Sequence, residues 1–147
     1  MKHKSLAIAL LIFVLSVSGA LVGAQDSTVV QIFFPIAVDS PITQILDGYA
    51  AAYMEQNPGV QIQWSFEGGY TDVKNRLLTV QEGGGTLPAL AIMLATDIYD
   101  LVNAGAIQAW DPFVTEDYLA DFTPTWLENS YYDFDGDGTG ELYGLPF

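Results

Sequence analysis

From residue 28 to residue 94, short apolar runs of strand type alternate with longer stretches of helical spacing. That alternation limits the fold more than any other feature of the chain. Val29, Val30, Ile32, Phe33 and Phe34 form a compact β-branched and aromatic run suited to a buried strand, and Pro35 ends it. Ser40 stands where a helix cap belongs, and Pro41 occupies the one helical position where a missing N–H does no harm. Ile42, Ile45, Leu46, Tyr49 and Tyr53 then recur at helical spacing, which predicts a helix with a single core-facing stripe ending at Asn57-Pro58-Gly59. Val60, Ile62, Trp64 and Phe66 alternate with Gln61, Gln63 and Ser65, the pattern of a half-buried or edge strand.

The next stretch predicts a second helix over about 71–82, with Val73, Leu77 and Val80 inward and Gly83-Gly84-Gly85 as its stop. A wholly apolar third strand follows Pro88 over 90–94, and Thr96 is placed to cap a short helix carrying Ile98, Leu101 and Val102, closed by Gly105. A brief strand is expected over 107–110, then an acidic, aromatic-rich stretch over 111–132. The strand, helix, strand order predicts an α/β fold with a mostly parallel sheet and helices on both faces. Ligands of such sheets sit beyond the carboxyl ends of the strands, so the loops at 36–40, 68–71 and 95–97 are the ones to watch.

The first 24 residues stand apart. Lys2 and Lys4 precede an apolar stretch from Leu6 to Val17 interrupted only by Ser16, and Val22-Gly23-Ala24 fits a small-x-small cleavage site before Gln25. This predicts a secretory signal peptide over 1–24. The alternative, an uncleaved anchor, has a segment short of the ~20 apolar residues that a spanning helix needs. Cleavage removes both N-terminal lysines and the one histidine, His3, so Lys74 and Arg76 alone face 18 carboxylates. Such a surface repels phosphate backbones and anionic lipid, so neither nucleic acid nor a membrane surface is expected as a partner. A chain of 147 residues without cysteine has the size of one domain and no disulfide, thiol nucleophile or lipid-anchoring cysteine. The product is expected to be secreted, periplasmic or extracellular, and not lipid-anchored.

No enzyme constellation stands out. The mature part has no imidazole and no Ser-x-x-Lys or Gly-x-Ser-x-Gly pattern, and Gly83-Gly84-Gly85 lacks the ending of a phosphate loop. With so many acids, some carboxylate pair always meets the spacing of glycoside hydrolysis, so that signal carries little weight. Asp133, Asp135, Asp137 and Gly138 reproduce the start of a calcium loop, yet its twelfth position is Gly144 where a bidentate Glu belongs. The segment reads either as a calcium loop or as an acidic turn leading into a strand at Leu142, and no metal or cofactor is expected.

The run VVQIFFPIAVDSPITQILDGYAAAYMEQNPGVQIQW resembles the opening of family 1 bacterial extracellular solute-binding proteins, especially the branch serving sugars and glycerol phosphates. "GGGTLPALAIML", "NAGAIQAWDPFV" and "GELYGLPF" resemble three further segments of that family, in the same order. Pro88-Ala89 replaces the family's common Pro-Asp, and Phe34-Pro35 its frequent Trp-His, departures that bear on ligand class and not on fold. The resemblance implies a type II periplasmic-binding-protein-like N-terminal lobe over 25–147. Since the family has two lobes, a chain of this length is expected to be an incomplete one. It implies no enzyme but a monomeric binding protein that delivers a small, carbohydrate-like solute to the permease subunits of an ABC importer.

The implied contacts are Asp39 and Ser40 after the first strand, Tyr70 and Thr71 after the second, and Thr96 and Asp97 after the third. Asp39 and Asp97 are each expected to accept two sugar hydroxyls, and the helix starts at Ser40 and Thr71 to offer N–H groups. Each carboxylate serves equally as an ordinary helix cap, and Tyr143 as core packing. The alternative function is a secreted glycan-active enzyme or calcium-stabilised glycan module.

Overall fold

The computed structural model describes residues 27–35 and 40–147. The expected signal peptide and Asp39 lie outside the described residues. Three strands, β1 (Thr28–Phe34), β2 (Val60–Phe66) and β3 (Leu90–Ala91), form a parallel sheet in the order β2-β1-β3. Trp64 lies within β2, and the alternating β2 is an edge strand, as its pattern predicts. β1 pairs with β2 from Thr28 opposite Val60 to Phe34 opposite Phe66, and with β3 at Ile32 opposite Leu90.

The connections are helical: α1 (Pro41–Gln56) joins β1 to β2, α2 (Tyr70–Glu82) joins β2 to β3, and α3 (Ile98–Asn103) follows β3. Side chains alternate along β1, so Phe33 points away from Ile32 and Phe34. Phe33 packs with Val73 and Leu77 of α2, Leu101 of α3, and Ala106, which makes the main core. On the opposite face Leu46 and Ala50 of α1 lie against Ile62 and Trp64. Helices therefore cover both faces.

Several expectations need correction. Leu46 and Ala50 meet the sheet, but Ile45, Tyr49 and Tyr53 are 55%, 69% and 52% exposed. α1 lies over the edge strand, so one ridge of the helix rests on Ile62 and Trp64 while the neighbouring i, i+4 ridge overhangs. Ser40 is extended at the cap position, yet its hydroxyl makes no cap bond. Its carbonyl instead accepts the Thr43 hydroxyl at 2.6 Å and the Thr43 N–H at 3.0 Å. The third strand is shorter than 90–94. Ala89 N–H and Ile92 N–H bond Gln31 O and Phe33 O at 2.9 Å each, after which a 3-10 turn over Ala95–Asp97 winds the chain out of the sheet. Thr96 lies inside that turn and caps nothing.

Both glycine stops hold. Gly84 and Gly105 take φ of 66° and 67°, the left-handed conformation that glycine adopts at least cost. Around Gly105, Ala106 N–H bonds Leu101 O at 2.9 Å and Gly105 N–H bonds Val102 O at 2.8 Å, the paired bonds of a Schellman ending.

Residues 107–110 form no strand, because the segment makes a single sheet-like bond, from Trp110 N–H to Leu142 O at 2.6 Å. Beyond it come a 3-10 turn at Asp111–Phe113, α4 (Glu116–Leu119) and α5 (Pro124–Glu128). Thr115 caps α4 by accepting Tyr118 N–H, and Pro124 opens α5. β4 (Tyr131–Tyr132) and β5 (Glu141–Leu142) then close an antiparallel hairpin. Leu142 is fully buried, and its N–H is taken by Asp111 Oδ2 at 2.9 Å, so the hairpin is tied to the chain ahead of it. Among the described residues no helix is long and apolar enough to cross a membrane.

Candidate functional site

Because all three strands of the main sheet are parallel, the loops that follow them leave from one edge. Ser40, Tyr70 with Thr71, and Thr96 with Asp97 therefore gather at the carboxyl edge of the sheet. Asp39 lies outside the described residues. Tyr70, Thr71 and Thr96 are exposed there, and Ser40 is half-buried.

Asp97 already has a partner within the chain. Its Oδ1 accepts a hydrogen bond from Lys74 Nζ at 3.0 Å, and its side chain is only 16% exposed. Lys74 also donates to Asp100 Oδ2. One oxygen of Asp97 is thus already engaged by the lysine, so its charge is shared with a partner inside the chain. The two carboxylates, Asp100 foremost and Asp97 second, hold the Lys74 ammonium above its ordinary pKa. Glu67, just past the end of β2, accepts the Ser65 hydroxyl and lies 3.8 Å from Arg76 Nε.

The start of α2 is also partly occupied. Gly69 N–H donates to Asp72 Oδ2 at 2.7 Å, and the Asp72 and Val73 N–H groups turn back to Gly69 O. These bonds engage the Gly69, Asp72 and Val73 N–H groups and not that of Thr71. At Ser40 the carbonyl is bonded to Thr43 and the hydroxyl makes no cap bond.

Tyr143 lies on the hairpin and not on the sheet edge. Its ring meets Phe134 edge-to-face at 5.3 Å, and Phe134 also touches Tyr99 and Tyr132, with centroids 5.5 and 5.6 Å away. Desolvation, then the charges of Glu141, Asp135 and Asp111, push the Tyr143 phenol up. The hairpin still borders the edge, since Tyr132 Oη contacts Ala95 O at 3.5 Å and Phe147 packs on Phe34 at 6.1 Å.

Residues 39–147 match the family profile described as bacterial extracellular solute-binding protein. The chain belongs to that family.

Solved structures of such solute-binding proteins carry the same fold. CpMnBP1 with mannotriose bound is similar at a TM-score of 0.66 and 21% identity, over 82% of this chain and 28% of that one. A family 1 extracellular solute-binding protein from Alicyclobacillus acidocaldarius gives 0.64 and 20% over the same shares. So does the galacto-N-biose-/lacto-N-biose I-binding protein of the ABC transporter from Bifidobacterium longum, in complex with lacto-N-biose. The chain thus spans about a quarter to a third of the length of the structures it matches. The fold is that of type II periplasmic-binding proteins. No curated protein matches the chain.

The acidic hairpin of this solute-binding protein brings Asp133, Asp135 and Asp137 together, with one oxygen of each within 4.8 Å of the others. All three are exposed. Asp133 accepts Gly136 N–H and Gly138 N–H, Asp135 accepts Asp137 N–H, and Asp137 accepts Thr139 N–H. The loop is therefore closed by its own backbone donors, which offset the mutual repulsion of the carboxylates.

Asp100 and Phe134 have no place in the sequence reading, and Lys74 enters it only in the charge balance. The scarcity of cations in the chain was the available signal for Lys74. Phe134 carried one as well, since an aromatic between calcium-loop aspartates needs a surface to bury it.

Proposed function

We propose that this chain is the first lobe of an extracytoplasmic binding protein that captures a carbohydrate-like solute at the carboxyl edge of its sheet. The loaded protein then delivers the solute to the permease of an ABC importer. The observation that carries this reading is the convergence of Ser40, Tyr70, Thr71 and Thr96 at one edge of a chain that belongs to the solute-binding family. The sugars named for the structural neighbours, mannotriose and lacto-N-biose, supply the ligand class. Exposed hydroxyls and a tyrosine ring offer hydrogen bonds and a stacking face, with no nucleophile–base pair among them, so the role is binding and not catalysis.

The solute is held between this lobe and a second one. A single edge is an open shelf where each hydrogen bond competes with water and contributes about 0.5 to 1.5 kcal/mol net. Two or three such bonds scarcely offset the several kcal/mol lost on immobilising a ligand. The expected result is millimolar binding by the 147-residue chain. Titration of the isotope-labelled chain with neutral oligosaccharides, followed by amide chemical shifts, should move Tyr70, Thr71 and Thr96 first. Shifts confined to the hairpin would remove the reading, whereas a lone lobe is expected to bind at millimolar strength or not at all. Micromolar affinity would show that the site is complete within one lobe.

A further inference from the structure

Both cationic side chains near the carboxyl edge, and the start of α2, are already engaged by carboxylates of the chain itself. Lys74 donates to Asp97 and Asp100, and Arg76 lies beside Glu67. A helix start with unsatisfied N–H groups and a partial positive charge is otherwise a ready anion site. At α2 that start carries Asp72 in its first turn, with Asp72 Oδ2 on Gly69 N–H at 2.7 Å. Asp97 and Glu67 are 16% and 20% exposed at their side chains, so their charges sit close against the edge instead of out in solvent. Lys74 and Arg76 are the two cationic residues between residue 5 and Phe147.

An anionic group approaching this edge meets no unpaired cation. To reach Lys74 it must displace a carboxylate, and it must do so in the field of the remaining acids. A hydroxyl pays no such repulsion, and an ammonium group gains from it. Resting on the solute-binding reading, we infer that this edge discriminates by charge. It refuses phosphate and carboxylate groups and accepts uncharged or cationic ones, with Asp72, Asp97 and Asp100 as the specificity-determining residues. Of the sugars and glycerol phosphates that the sequence resemblance brings in together, the lobe selects the uncharged class.

The test uses the full chain at about 0.01 M ionic strength, where screening extends to about 30 Å. The probes are inorganic phosphate, sn-glycerol 3-phosphate and a neutral trisaccharide, read by amide shifts between residues 67 and 100. The wild-type chain should show no response to either phosphate. Asp97→Asn with Asp100→Asn frees the Lys74 ammonium without changing side-chain shape, and this variant should bind phosphate at least about tenfold more tightly than wild type. Adding Lys74→Met should abolish the gain. Should the double variant fold poorly, the exposed Asp72→Asn alone opens the start of α2 and should show a smaller gain at Gly69 and Tyr70. Phosphate binding by the wild type as tight as by the double variant, or no gain in any variant, would overturn the proposal. Failure of the trisaccharide to bind any of these proteins bears on the solute-binding reading alone, since the phosphate arms are read independently.

Discussion

Gly68 shows how tightly single positions are specified at the site. Its φ of 106° is open to glycine, and a Cβ placed there would lie 2.5 Å from Asp72 Oδ2, the oxygen that accepts the Gly69 N–H. Gly68→Ala should cost about 1 to 3 kcal/mol in a urea unfolding curve, and Asp72→Ala should restore only a small part of it, because it removes the Oδ2 and Cγ contacts but leaves the Asp72 Cβ at 2.9 Å and the backbone strain. At Lys74 and Tyr143 the stability change falls at high pH. Lys74 is raised above 10.5 by Asp100 and Asp97, so its contribution is whole below that value and fades as pH climbs through the folded-state pKa. Tyr143 is raised above 10.0, mainly by desolvation, so the unfolded chain ionises first and gains on the folded one over the same range. Lys74→Met and Tyr143→Phe should each flatten the alkaline limb of a stability–pH profile. For Asp133, Asp135 and Asp137 the backbone already supplies partners, and Gly144 stands where a bidentate ligand would be needed. Calorimetry with calcium should give no dissociation constant near or below ~10⁻⁵ M, the range of complete sensor loops.

The two long helices differ in what they bury, and their variants should differ accordingly. Leu77 of α2 is 2% exposed in the main core, so Leu77→Ala should cost about 2 to 5 kcal/mol. Ile45 of α1 belongs to the overhanging ridge, and Ile45→Ala should stay within about 0.5 kcal/mol by the same urea midpoint. Periodicity could not make this distinction, since it reports that an apolar stripe exists and not how wide a sheet lies beneath it. Strands β1 and β2, both long helices and the Gly105 ending were readable because local patterning and tertiary burial agree there. The hairpin and α4 and α5 were less so. Their signals are a lone Thr115 cap and a lone Pro124, and Leu142 is held in place by Trp110 and Asp111, some thirty residues earlier. The strand expected over 107–110 failed for the related reason that the segment meets β5 through one bond alone, from Trp110 N–H to Leu142 O. Of the site, the sequence order of the loops was enough to place Tyr70, Thr71 and Thr96. The engagement of Asp97 was not foreseeable, because it depends on a lysine 23 positions away meeting the turn in space.

Taken whole, the molecule is a three-stranded parallel sheet with its chain-first strand in the middle and both neighbours supplied later. Parallel pairing always requires a crossover, so β1 has no local partner with which to form a hairpin. Thr28 meets Val60, and Ile32 meets Leu90, only after α1 and α2 have been made. The central position of β1 thereby becomes a matter of time. At about 5 to 20 residues per second of synthesis, the wait from Thr28 to Val60 is about 2 to 6 s. Throughout that interval an uncharged, β-branched and aromatic segment without internal proline is available to pair with any other strand it meets. Pro35, immediately after it, limits how far such a mispairing can extend along the chain. The segment that ends at the centre of the sheet therefore waits unpaired for partners that come later in the chain, whatever the stability of the finished fold.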